Sequence, residues 1–221
     1  MEINRSICCK EIMKIDVIDA KGDKIGHIND FTFTFDGSLK LSQFILGGGT
    51  WEELLESLKL KPDKDPIFNA SLISKIGDNI HLNSDVDSLK TTLDECAISD
   101  NELRLSELSK LNIFDENGEN IGNVIDVDFD VDGRASLIVG GSFIEEKLEA
   151  LGIKPDFDII VPDDAIESIS DKIQLMVSKD ELETTLEEVL ADRNPEIQKA
   201  REAKHVNQEI SKVRLFGQRP Q

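Results

Sequence analysis

The stretch Ile15-Asp-Val-Ile-Asp-Ala-Lys-Gly22-Asp-Lys-Ile25-Gly26-His-Ile28-Asn-Asp30 returns as Leu111-Asn-Ile-Phe-Asp-Glu-Asn-Gly118-Glu-Asn-Ile121-Gly122-Asn-Val124-Ile-Asp126, displaced by 96 positions. Working outward, the Asp-Gly pairs Asp36-Gly37 and Asp132-Gly133 keep that displacement. It then drops to 93. Leu55-Glu-Ser-Leu58-Lys-Leu-Lys61-Pro62-Asp63 matches Leu148-Glu-Ala-Leu151-Gly-Ile-Lys154-Pro155-Asp156, and Ile73-Ser-Lys-Ile76-Gly-Asp78-Asn-Ile80-His-Leu82 matches Ile166-Glu-Ser-Ile169-Ser-Asp171-Lys-Ile173-Gln-Leu175. Leu89-Lys-Thr91-Thr92-Leu93 likewise matches Leu182-Glu-Thr184-Thr185-Leu186. An internal period of this size means that one supersecondary unit is used twice. The expected organisation is a first repeat over 1–97, a second over 98–191, and a tail over 192–221 without a counterpart.

Each repeat reads as short strands. Phe31, Phe33 and Phe35 alternate with Thr32, Thr34 and Asp36, and Val127, Phe129 and Val131 alternate with Asp128, Asp130 and Asp132. A period of two is that of a strand with one buried face. Both strands run into Asp-Gly, which suits the positive φ angles of a tight hairpin. The returning strands are expected at Gln43–Leu46 and Ser136–Val139. Short helices are expected over Trp51–Lys59 and Phe143–Leu151, each opened by a capping box, Thr50-x-x-Glu53 and Ser142-x-x-Glu145. Asp87–Leu93 and Lys179–Leu190 also read as helices. Five or six short strands with turn signals every ~8–12 residues point to a mainly β fold of two tandem small barrels.

The order Asp-x-x-Gly-x-x-Ile-Gly-x-(Ile/Val)-x-Asp, apolar strand, Asp-Gly, apolar strand, then Ile-x-x-Ile and Asp-x-Ile-x-Leu resembles the PRC-barrel family. That barrel occurs in the cytoplasmic part of the photosynthetic reaction-centre H subunit, in a ribosome-maturation factor, and in small archaeal proteins, some resembling cell-division adaptors. The resemblance implies a non-enzymatic module that docks onto other proteins or an assembly. It departs from the family pattern in the inserted Trp51 and Phe143 helices and in the C-terminal tail.

Composition narrows the function classes. Of 221 residues, 45 are Asp or Glu and 25 are Lys or Arg, for a formal charge of −20. Direct DNA binding is not expected, because phosphate recognition needs a basic surface. No apolar stretch approaches the ~18–20 residues of a membrane span, and the N-terminal residues lack a signal peptide's regions. Three cysteines leave one over from any pairing, which argues against a disulfide framework. A cytoplasmic location is the expectation.

Candidate sites weaken under the same scrutiny. Asp128-x-Asp130-x-Asp132-Gly133 opens like a calcium loop, but the twelfth position is Val139 rather than a bidentate Glu. The expected reading is the solvated face of a strand ending in a turn. Gly47-Gly48-Gly49 could cradle a phosphate, yet Glu52 and Glu53 follow it and would repel one. Cys9 aligns with Leu105 and Cys96 with Val189, both apolar positions, so these thiols are expected to be buried; Cys8 aligns with Arg104 and is expected to be more exposed. His27, His81 and His205 are scattered, and their partners in the other repeat are Asn123, Gln174 and none. No catalytic residue, cofactor or metal is expected.

The tail stands apart. From Pro195 onward six Lys and Arg face three Glu, giving +3 and leaving −23 on the remainder. Asn194-Pro195 suits a helix start, and Ile197, Ala200, Ala203, Val206, Ile210 and Val213 recur at helical spacing. The candidate partner-binding residues are Arg214, Leu215, Phe216 and Arg219, read as an apolar anchor with basic flanks; a solvated terminus, or a tail packed on its own barrels, is the alternative the sequence leaves open. The partner would be another protein, which two related surfaces could bridge to a second or bind bivalently; a homo-oligomer is left open. The alternative functions are a ribosome-maturation or RNA-processing accessory factor and, after it, a small-ligand binder or enzyme.

Overall fold

A computed structural model of the chain describes residues 2–47, 66–85, 97–141, 158–182 and 214–216. The expected helices at 51–59, 87–93 and 143–151, the helical spacing beyond Asn194, and Cys96, His205 and Arg219 lie outside the described residues.

The first half runs β1 (Glu2–Ile3), β2 (Ile7–Cys8), α1 (Cys9–Ile12), β3 (Asp16–Ile18), β4 (Lys24–Phe35), β5 (Leu39–Gly47), β6 (Ile67–Asn69), β7 (Ile73–Ile76) and β8 (Ile80–Leu82). The second runs β9 (Glu102–Arg104), α2 (Leu105–Leu108), β10 (Asn112–Phe114), β11 (Asn120–Phe129), β12 (Ala135–Gly140), β13 (Asp158–Pro162), β14 (Ile166–Ile169), β15 (Ile173–Leu175) and β16 (Arg214–Phe216). The fold is mainly β. One sheet has the order β1-β7-β8-β3-β4-β5-β6 and the other β14-β15-β10-β11-β12-β13-β16. Six strands of each, from β7 to β6 and from β14 to β13, therefore follow one order, and the sequence displacement carries each strand onto its counterpart.

Local chemistry explains the shared turns. Asp19, Asp115 and Asp130 each place one carboxylate oxygen on the backbone N–H groups two and four residues ahead, at 2.7–3.0 Å. The glycine between, Gly22, Gly118 or Gly133, takes a φ of 79–92° that a side chain disfavours. The Ile-Gly of the motif has a different cause. Gly122 has a φ of 152°, and a Cβ there would collide with the carbonyl of Gly140 as β12 passes.

The chain divides into two compact units, and they are not the two repeats: one holds Met1–Leu108 with Asp126–Ala135, the other Ser109–Ile125 with Ser136–Gln221. In the first unit the segments of the two repeats exchange strands. β4 pairs β5 along its length and β3 over Lys24–His27. The edge that β3 leaves uncovered is taken by β9, with Thr32 opposite Arg104 and Phe33 opposite Leu103. In return β2 pairs β11, with Asp128 opposite Cys8 and Phe129 opposite Ile7. The two registers are the same register displaced by 96.

Side chains repeat the exchange. Thr32 Oγ1 donates to Glu102 at 2.8 Å, and the matching positions meet as Ser6 Oγ donating to Asp128 at 2.6 Å. Asp30 accepts from Ser106 Oγ in α2, and Asp126 accepts from the Lys10 backbone N–H in α1. Phe33 and Phe129, equivalent in the two repeats, stack with centroids 6.2 Å apart. Thr32 and Asp128 are buried, not on a solvated strand face as the alternation suggested. The strands that cover them come from the other repeat, which the local period of two does not register.

Two outcomes test the exchange. A protease site placed in the 97–100 loop and cut should leave the fragments co-eluting on size exclusion without denaturant; separation would show that the exchanged strands hold little. Phe33→Ala or Phe129→Ala should each cost ~3–5 kcal/mol in urea unfolding, and the double variant should cost less than their sum because one contact is removed twice.

Candidate functional site

The residues singled out from the sequence fall in three places. The first is the acidic loop of Asp128, Asp130 and Asp132. Asp128 lies buried on Ser6, whereas Asp130 holds the N–H groups of Asp132 and Arg134 and pairs with the Arg134 guanidinium at 3.2 Å. These carboxylates serve separate structural ends. Among the described residues, no group of three or more His, Cys, Asp or Glu side chains is placed to hold a metal. His27 and His81 are both exposed, on different strands.

The second place is the start of α1. Cys8 and Cys9 are both buried. The expected exposure of Cys8 is corrected: it is buried, although Arg104, at the matching position on an equally paired strand, is half-buried. Burial raises the Cys9 pKa well above the ordinary thiol range, and the negative fields of Asp126, Cys8, Asp30 and Asp128 push the same way. A thiol so placed stays protonated, and the thiolate is the reactive form. Asp115 shows the opposite balance. Burial opposes its ionisation, but the backbone N–H groups of Lys179, Glu119 and Asn117 outweigh that, and its pKa is lowered.

Sequence reasoning missed the third place, the outer edge of β13. Arg214, Leu215 and Phe216 form β16, which adds antiparallel to β13 with Phe216 opposite Asp158, Leu215 opposite Ile159 and Arg214 opposite Ile160. Residues 214–216 are thus a strand of the second sheet, in keeping with the packing on the chain's own barrels that the sequence left open beside docking on a partner. The signal was weak: a three-residue strand, one of its residues an arginine, gives no period, and the helical spacing before it pulled the reading toward a helix. β13 itself is well anchored. Its other edge pairs β12 over Ser136–Val139, and Ile159, Ile160 and Val161 are buried.

Chemistry sets two outcomes. Cys8 and Cys9 should react with a thiol reagent only at the rate of opening, and acceleration by denaturant should track unfolding; fast labelling in native buffer would contradict their burial. Asp115→Ala should lose ~1.5–3 kcal/mol at neutral pH by unfolding titration, since three N–H donors lose a charged acceptor. Because the folded pKa is depressed, this stabilisation is whole above the ordinary Asp value and disappears as pH falls through the folded one. Wild type and variant should therefore converge in acid.

Against known proteins, no curated sequence matches the chain. Residues 100–182 match the PRC-barrel domain family. The match takes in the motif at Asp115–Asp126 and the strands β9 to β15, whose order the first repeat's strands share. Residues 100–182 of this chain are a PRC-barrel domain.

Proposed function

We propose that the chain is a non-enzymatic adaptor, built from two PRC-type repeats, that joins proteins in a cytoplasmic assembly such as the division machinery. The observation that carries this reading is the use made of the buried polar side chains. Asp19, Thr32, Asp115, Asp126 and Asp128 are the buried polar or charged residues among those described. Each binds a turn, a helix start or an exchanged strand. Buried polarity is costly unless it is hydrogen-bonded, and here it is spent on rigidity rather than aimed at a common point where a substrate would sit. The reading left for function is the surface of a chain whose formal charge is −20.

An acidic rigid body suits basic protein partners and discourages nucleic acid. Ribosomal proteins are among such partners, so a ribosome-maturation role is the rival reading that charge also favours. No helix among the described residues is long and apolar enough to cross a membrane.

Affinity purification of the tagged chain at low salt should recover a stoichiometric protein partner that 0.5 M salt releases, because screening shortens the reach of surface charge to a few Å. Co-sedimentation with ribosomal subunits would favour the rival. Turnover of a small molecule by the pure chain would overturn both.

A further inference from the structure

We propose that the outer edge of β13 is an acceptor for an extended segment of another protein, an apolar run flanked by basic residues, and that Arg214–Phe216 is its resident, displaceable occupant. This rests on the adaptor reading and names the site at which one class of partner enters.

The pairing itself is the first ground. β13 gives one edge to β12 and the other to β16, so its second edge is one that accepts a strand from far along the chain. Addition of a strand to a sheet edge takes its affinity from main-chain hydrogen bonds and its selectivity from alternate side chains. A second ground is the length of the occupant. β16 has three residues, and residues 183–213 stand between it and the described end of the domain at Leu182. Three residues offer few cross-strand bonds, and the occupant holds the edge largely because its tether keeps it at high effective concentration. A free segment of like sequence can therefore compete by mass action.

Charge gives the third ground. The segment from Pro195 onward is +3 and the remainder −23, so a basic strand is drawn to this body and an acidic one is repelled. Finally, the edge is not a general property of the repeat. The equivalent edge strand, β6, has no strand beyond it among the described residues.

The test is a labelled peptide spanning Lys212–Gln218, titrated by fluorescence anisotropy into the full chain and into a chain ending at Ser211. The shortened chain should bind at least tenfold more tightly, and rising salt should weaken the complex. N-methylation at 214 and 216 together, or at 215 alone, should abolish binding in one case and spare it in the other, because alternate residues face the partner strand. The full-length double variant Arg214→Pro, Phe216→Pro should show the same gain in peptide affinity, which guards against a truncation that simply fails to fold. Equal affinity for the full and opened chains would overturn the proposal, as would indifference to N-methylation. A dimer of the full chain that disappears on truncation would also overturn it, placing the tail on a second copy. If the peptide fails while the purified partner still binds the truncated chain, the edge site falls and the adaptor reading stands.

Discussion

Each of the two long hairpin strands has a length of edge that its own repeat cannot cover. β3 reaches only the beginning of β4, and β10 only the beginning of β11. The uncovered parts, Thr32–Thr34 and Asp128–Phe129, would leave main-chain donors and acceptors unpaired beside the most buried aromatic rings. β9 and β2 remove that cost reciprocally. A buried unpaired peptide group costs about as much as a lost hydrogen bond, and an open hydrophobic edge invites aggregation. The stacked Phe33 and Phe129, the seating of α1 and α2, and the burial of Cys8 and Cys9 all depend on this exchange.

The same constraint explains why so acidic a chain tolerates buried carboxylates. Asp126, Asp128 and Asp115 are met by backbone N–H and hydroxyl donors at the helix starts and turns. Short donors held by the backbone lose little conformational freedom on pairing, unlike long basic side chains. The ion pairs that are present, such as Arg5–Glu11 at 2.9 Å and Lys40–Asp36 at 2.9 Å, lie on the surface, where such pairs contribute little.

The two sheets also differ where their strand order agrees. β1 extends the first sheet beyond β7 in parallel, and β16 extends the second beyond β13. Both additions use chain from outside the shared six strands and lie at opposite ends of the common order. One strand order with unlike additions gives the two sheets different outermost strands.

Much of this was legible in the sequence, and the reason is local. Asp19, Asp115 and Asp130 bind N–H groups within four residues, and Gly22, Gly118 and Gly133 serve the same turns, so the motif contains its own cause. Alternating Phe and Val located β4 and β11, and the displacement of 96 then 93 foretold one strand order in both sheets. The tertiary structure alone decided the rest. Thr32 and Asp128 alternate like solvent-facing residues, yet strands from the other repeat bury them. Cys8 aligns with an Arg, yet it is buried in a strand paired with β11. Leu215 lies in a basic tail, yet it stands opposite Ile159. In each case the deciding partner is distant in the chain, and a period of two or a turn motif reports only what neighbours in sequence do to one another.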